Sequence, residues 1–284
     1  MSAPLSPGLY LVATPIGSAR DITLRALDVL AAADVLAAED TRTARRLMDI
    51  HGLALDGRKV IAYHDHNGPI TRPVILAELA AGRSVAYMSE AGSPLIADPG
   101  FVLVNEARAA GHMVTAVPGP SSVIAAIMVG GLPSDRFFFA GFPPAQKGAR
   151  TKLFEELAGL RATLVFFESP KRIVRGLEDM IAVFGPDRRA AVCRELTKKF
   201  EEVRQGRLDE LGQSLKERPA KGEIVVLVDR PGKAAGSAGM EAALKEALKT
   251  MHTREAADHV AAALGLSRRQ VYQAALALGR EGSG

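Results

Sequence analysis

The chain has 284 residues, 48% of them hydrophobic, enough for two domains with cores of their own and no need of disulfides or structural metal. Its longest apolar runs are strand-sized, which excludes a membrane-spanning helix of about 20 residues, and its one cysteine, Cys193, excludes an internal disulfide. A formal charge of +4 and a pI near 9.3 admit a nucleic-acid partner without requiring one.

Met1 to Pro7 lacks the basic segment and apolar core of a secretory signal, so a loose lead-in and a cytoplasmic, reducing location are expected. Short apolar runs then alternate with helical patterns: Leu9–Thr14 before Thr23–Ala33, Val35–Ala38 before Thr41–Ile50, and Val60–His64 before Ile70–Ala81. Val85–Ser89, Phe101–Ala110 and Met113–Val117 continue the series. Such alternation predicts a parallel sheet with crossover helices, an α/β domain over residues 8–119.

A second α/β domain is expected over residues 120–231. It starts with a small-residue helix, Val123–Val129, and has strands at Arg136–Gly141, Thr163–Glu168, Ala190–Glu195 and Glu223–Asp229. Glu201–Gly206 reads as a further strand and Arg207–Lys216 as a helix, which would make the sheet partly antiparallel. Phe137, Phe138 and Phe139 are expected in the core, and Cys193 in a strand interior. Basic residues crowd the stretch from Lys147 to Lys199, either as a solvated surface or as a face for phosphates.

The last region, residues 232–284, begins as a flexible linker by composition, Pro231–Gly239, followed by a helix over Met240–Thr250. Thr253 can cap Arg254–Leu264, Gly265 can end that helix, and Ser267 can start Arg268–Leu278. This pair reads either as a helix-turn-helix, with Arg268 and Arg269 facing nucleic acid, or as a plain helical packing module.

Four strands of the first domain empty into loops rich in Pro and Gly or in charge: Thr14–Ser18, Glu39–Arg42, Ser89–Pro94 and Pro118–Ser122. Ligands of open α/β sheets bind at such carboxyl ends. No G-x-x-x-x-G-K-[ST] and no G-x-G-x-x-G after the first strand is present, so neither a P-loop nor a dinucleotide site of the usual kind is expected. His64-Asp65-His66 lacks companion ligands and reads as a polar loop, so no metal is expected.

Read in order, seven segments carry a resemblance. They are Thr-Pro-Ile-Gly (14–17), Glu-Asp-Thr-Arg (39–42), Ala-Gly-Ser-Pro-Leu-Ile-Ala-Asp-Pro-Gly (91–100), Pro-Gly-Pro-Ser (118–121), Phe-Glu-Ser-Pro-Lys-Arg (167–172), Arg-Glu-Leu-Thr-Lys (194–198) and Lys-Gly-Glu (221–223). Together they resemble the tetrapyrrole methylase superfamily, in its branch that methylates ribosomal RNA. Glu90 stands where that branch usually has Asp, and Lys171 where it commonly has His.

The resemblance implies a two-lobed class III methyltransferase fold with a small helical domain after it. It further implies S-adenosylmethionine as cofactor and 2′-O-methylation of a cytidine in the decoding region of 16S rRNA, free or in the small ribosomal subunit, by a homodimer. Cofactor contacts are then expected at Pro15, Ala91, Gly92, Ser93, Ser121, Ser122, Glu168, Leu196 and Gly222. Arg194, Glu195, Glu39 and Arg42 are the expected catalytic set, with local ion pairs as the alternative reading of the same residues. RNA contacts are expected at Asp40, Phe142, Lys147, Arg150, Lys152, Lys171, Arg172, Arg268 and Arg269. The competing readings are a methyltransferase of tetrapyrroles or other small molecules, and a DNA-binding regulator built on the C-terminal helices.

Overall fold

The computed structural model describes residues 4–64, 66–231, 233–264 and 268–281; Asp65, Gly265 and Ser267, to which the sequence reading gave roles, lie outside them. Five short strands, β1 (Gly8–Val12), β2 (Val35–Ala38), β3 (Val60–Ala62), β4 (Ser84–Met88) and β5 (Val114–Val117), form a parallel sheet in the order β3-β2-β4-β1-β5. Every residue of β2 and β4 is buried, which is why these strands read as unbroken apolar runs. Helices α1 (Leu24–Ala32) and α2 (Thr41–Ile50) cover one face, where Leu30 and Met48 meet Val12 and Leu36. On the other, α3 (Gly68–Ala80) and α4 (Phe101–Ala109) bring Ile75, Leu79 and Leu103 against Leu9, Val85 and Tyr87.

The second sheet is mixed. Its strands β6 (Phe137–Gly141), β7 (Thr163–Glu168), β8 (Arg189–Arg194), β9 (Glu202–Arg207) and β10 (Ile224–Val228) run in the order β6-β7-β10-β8-β9. Only the β6–β7 pair is parallel. One face packs on α6 (Lys147–Leu157), α7 (Ile173–Phe184) and α8 (Leu208–Glu217) through Phe154, Leu177 and Leu211. The other face receives α5 (Ser122–Val129), whose Val123 and Ala126 pack with Val165, Ala191 and Val225. Ile16, from the loop after β1, joins that same cluster, so a turn of the first lobe is part of the second lobe's core.

Three expectations are corrected. The stretch from Lys147 to Leu157 is helix α6, and α7 follows it, where the sequence reading placed neither. Phe137 and Phe138, on opposite faces of the edge strand β6, are exposed; only Phe139 packs inward, against Phe167. The supposed linker is helical from Lys233 as part of α9 (Lys233–Ala247). Alanine is the strongest helix former, and Met240 and Leu244 anchor that helix on α10 (Thr253–Leu264) and α11 (Arg268–Glu281).

A candidate cofactor cleft between the lobes

Three loops at the carboxyl ends of the first sheet are stitched by short hydrogen bonds. The Thr14 and Gly92 backbones exchange N–H to carbonyl bonds of 2.9 and 3.0 Å, the Ser89 hydroxyl donates to the Gly92 carbonyl at 2.7 Å, and the Ser93 hydroxyl donates to the Pro120 carbonyl at 3.2 Å. Gly17 then brings the loop after β1 against the second lobe. A β-carbon there would lie 2.5 Å from Lys198 Cγ and 2.6 Å from Thr197 Oγ1, so only glycine permits the approach. The adjacent Ser18 N–H donates to Thr197 Oγ1 at 3.1 Å.

These turns enclose a cleft of about 440 Å³, a volume within the range of small-molecule sites. Eight of the nine expected cofactor positions line it: Ala91, Gly92, Ser93, Ser121, Ser122, Glu168, Leu196 and Gly222. Pro15 does not, and its neighbour Ile16 takes its place. The sequence reading missed Asp98, Glu223 and the half-buried Phe167, all within or beside quoted motifs, and gave Glu90 no role. Glu39, Glu90, Asp98, Glu168 and Glu223 contribute carboxylates to the wall, and no Lys, Arg or His lines it among the described residues. In a chain of net charge +4, the lining is locally acidic, although Arg172 and Lys198 pair with Glu168 and Glu223.

Strain gathers at the same place. Leu95, Ala97, Glu195 and Thr197 have φ between 50° and 70°, a region costly for side chains with a β-carbon, at about 1–3 kcal/mol each. Ser121 sits at the start of α5, on the cleft lining, without using its side chain as a cap. Cys193, on the floor, is fully buried; burial first, and the charge of Glu201 second, push its thiol up to about 12. It is therefore a neutral wall atom at physiological pH, and thiol reagents should modify it only after denaturation; stoichiometric labelling of the native protein at pH 7 would contradict this.

The other expected residues divide sharply. Glu39 lines the cleft, and the 90% exposed Arg42 side chain stands at its edge, within the field of Glu90. Asp40 is the N-cap of α2: it accepts from the Arg42 N–H at 2.7 Å and pairs with the Arg42 guanidinium at 2.7 Å. Those bonds hold its carboxyl at about 2, below the usual 3.8. A depressed carboxyl stabilises the fold above its unfolded value and loses that contribution as pH falls through the folded one. The loss belongs between about pH 4 and 2, and Asp40→Ala should flatten the acid limb of the stability profile there.

Arg194 and Glu195 do not enter the cleft. Arg194 lies opposite Glu202 across the β8–β9 pair and bridges to it at 3.5 Å. The Glu195 carboxylate accepts from the Glu223 N–H at 3.0 Å and from Lys198 Nζ at 3.1 Å, which keeps it ionised below the ordinary range. It lies against Gly222 as a buttress of the wall.

Of the expected RNA contacts, Lys147, Lys152, Lys171 and Arg269 are exposed. Arg150, by contrast, is 6% exposed and bound to Asp179 on α7 through Nε at 2.8 Å and Nη2 at 2.5 Å, so it is no phosphate ligand. Arg172 is bound to the buried Glu168 at 3.1 Å and to the Pro143 carbonyl. Arg268 pairs with Asp258 of α10 through two guanidinium nitrogens.

Two α/β lobes with a cleft at the ends of a parallel sheet make a tetrapyrrole methylase-like fold. The model of that family, "Tetrapyrrole (Corrin/Porphyrin) Methylases", matches residues 8–212, and that of the "RsmI C-terminal HTH domain" matches residues 234–279. The chain is 46% identical over 97% of its length to the "Ribosomal RNA small subunit methyltransferase I" of Mesorhizobium japonicum, covering 93% of it. It is 42% identical over 87% of its length to the protein so named in Vibrio cholerae, covering 84% of that one. Among solved structures, the uroporphyrin-III-C-methyltransferase of Thermus thermophilus is similar at a TM-score of 0.55 and 25% identity, over 82% of this chain and 97% of that one. The chain belongs to the tetrapyrrole methylase family and, within it, to the family of ribosomal RNA small subunit methyltransferase I.

Proposed function

We propose that the protein transfers a methyl group from S-adenosylmethionine to the ribose 2′-oxygen of a cytidine in the decoding region of 16S rRNA. The observation that carries the cofactor assignment is the lining of the cleft, which gathers eight of the nine expected cofactor positions together with five carboxylates, of which Glu168 pairs with Arg172 and Glu223 with Lys198. A sulfonium that also bears an ammonium group suits such a wall, and a polyphosphate does not. Ala91–Ser93, Ser121, Ser122, Glu168, Leu196 and Gly222 would hold it, and when bound it supplies a methyl carbon activated by its sulfonium leaving group.

The protein's own contribution is placement and proton handling. Closing a small cleft around the reacting atoms removes water and fixes their approach. Glu39 and Glu90, at the ends of β2 and β4, are the carboxylates beside the exposed Arg42, and one of them accepts the ribose proton while Arg42 steadies the developing oxyanion. Lys147, Lys152, Lys171 and Arg269 meet phosphates outside the cleft. The relatives' shared name supports small-subunit RNA as substrate.

The enzyme acts in the cytoplasm, as a homodimer. Exposed apolar side chains of α5, Ile124 and Met128, line a shallow hollow suited to a second copy. The test is incubation of the protein with labelled S-adenosylmethionine and under-methylated small subunits, followed by mapping of the label. One cytidine labelled on its ribose is expected; label on a base, or none, would refute the assignment.

A further inference from the structure

We infer that Arg150 and Arg172 are positioning residues whose task is to hold Phe142 as the wall against which the base of an extruded substrate nucleotide stacks; this rests on the RNA-methylating function proposed above. Phe142 lines the cleft yet is 57% exposed, and its ring meets the edge of Phe167 at 5.3 Å between centroids. Gly141, at φ +67°, turns the chain out of β6 just before it.

Pro143 and Pro144 follow, and neither has an N–H with which to anchor the loop. The loop is held by its carbonyls instead. Pro143 O accepts from Arg172 Nη2, while Pro144 O and Ala145 O accept from Arg150 Nη1 at 3.2 and 2.9 Å. Each guanidinium is itself fixed by a buried carboxylate, Arg150 by Asp179 and Arg172 by Glu168. Three consecutive carbonyls thus hang from two arginines, one within α6 and one at the N-cap of α7, an arrangement that fixes one loop position and with it one ring position.

The acidic lining states what can reach that ring. With no Lys, Arg or His lining it among the described residues, the cleft offers phosphates no ligand, and a polynucleotide reaches it with a nucleoside turned out of its stack, its phosphates left at the exposed Lys147 and Lys152 of α6. An aromatic ring at the rim receives the flat face of such a base regardless of its hydrogen-bonding edge.

The experiment measures KM for small subunits, kcat and the Kd for S-adenosylmethionine in Phe142→Leu, Phe142→Tyr, Arg172→Lys and the Phe142→Leu/Arg172→Lys double variant. Phe142→Leu is expected to raise the RNA KM about 10- to 100-fold, with the Kd for the methyl donor unchanged, and Phe142→Tyr to behave as the parent protein. Arg172→Lys keeps the charge but loses the two-pronged geometry, and should raise the same KM by a smaller factor. The double variant should be no worse than Phe142→Leu alone, because an arginine that acts through the ring has nothing left to position. Unchanged KM in Phe142→Leu, an equal loss of methyl-donor affinity, or multiplicative penalties in the double variant would each overturn the inference. Absence of methyl transfer by the parent protein would instead strike the function proposed above.

Discussion

Gly222→Ala is expected to cripple the cleft while leaving the two sheets folded. At φ +84° a β-carbon on residue 222 would stand 2.2 Å from Glu195 Oε1 and 2.6 Å from Glu195 Cγ, deep inside contact distance. Glu195 cannot swing aside freely, since its carboxylate holds the Glu223 N–H and Lys198. Either the backbone of the Lys221–Glu223 turn moves or those bonds break, and both displace the wall made by Gly222 and Glu223. A strained backbone site of this kind costs about 1–3 kcal/mol. Urea unfolding should register that loss, and calorimetric titration should show affinity for S-adenosylmethionine reduced by more than about tenfold, the effect expected when a buried contact worth at least 1.4 kcal/mol is lost. Unaltered affinity would mean that Gly222 is a simple turn.

Arg150→Ala should produce the largest loss of stability. Arg150 and Asp179 are 6% and 7% exposed, and deletion of the arginine abandons a carboxylate in the core beside two unsupported carbonyls. Removing one partner of a buried pair costs about 3–5 kcal/mol, whereas replacing both with apolar groups of similar volume is often neutral. The double variant Arg150→Met/Asp179→Leu should therefore recover much of the loss in denaturant midpoint. Lys147 lies 3.9 Å from Asp179 but is largely in water, too distant and too well solvated to substitute. A loss below about 1 kcal/mol, typical of surface pairs, would show that the pair is not sealed from solvent.

How far the residues announce all this depends on where each partner lies along the chain. The first lobe was legible because β2 and β4 are buried on both faces and carry only apolar or small residues, while Thr23 and Asp40 sit where helix caps belong. The α7 helix was equally legible, with Ile173, Leu177, Met180 and Phe184 at helical spacing, and was overlooked beside its basic neighbours. The α6 helix was harder. Its first turn is Lys-Gly-Ala-Arg, and the buried face includes an arginine whose partner is 29 residues away. No local pattern distinguishes such an arginine from a phosphate ligand.

The cleft shows the same division. Its turns were found because proline and glycine mark tight loops wherever they occur and strand ends bring those loops together. For Arg194 and Glu195 the catalytic and the ion-pair readings stood open in the sequence, and the structure contains the pairs, because membership of a motif does not tell which way a side chain points. The cross-strand position of Glu202 and the backbone of Glu223 decide that, and both are properties of the folded sheet.

A crystal of the protein soaked with S-adenosylmethionine is the most direct examination of the account. Electron density for one molecule is expected between the lobes, touching the turn at Gly92, the start of α5 at Ser121 and the turn at Gly222 together. Density on an outer surface, or a cleft that stays filled with water at saturating ligand, would contradict it.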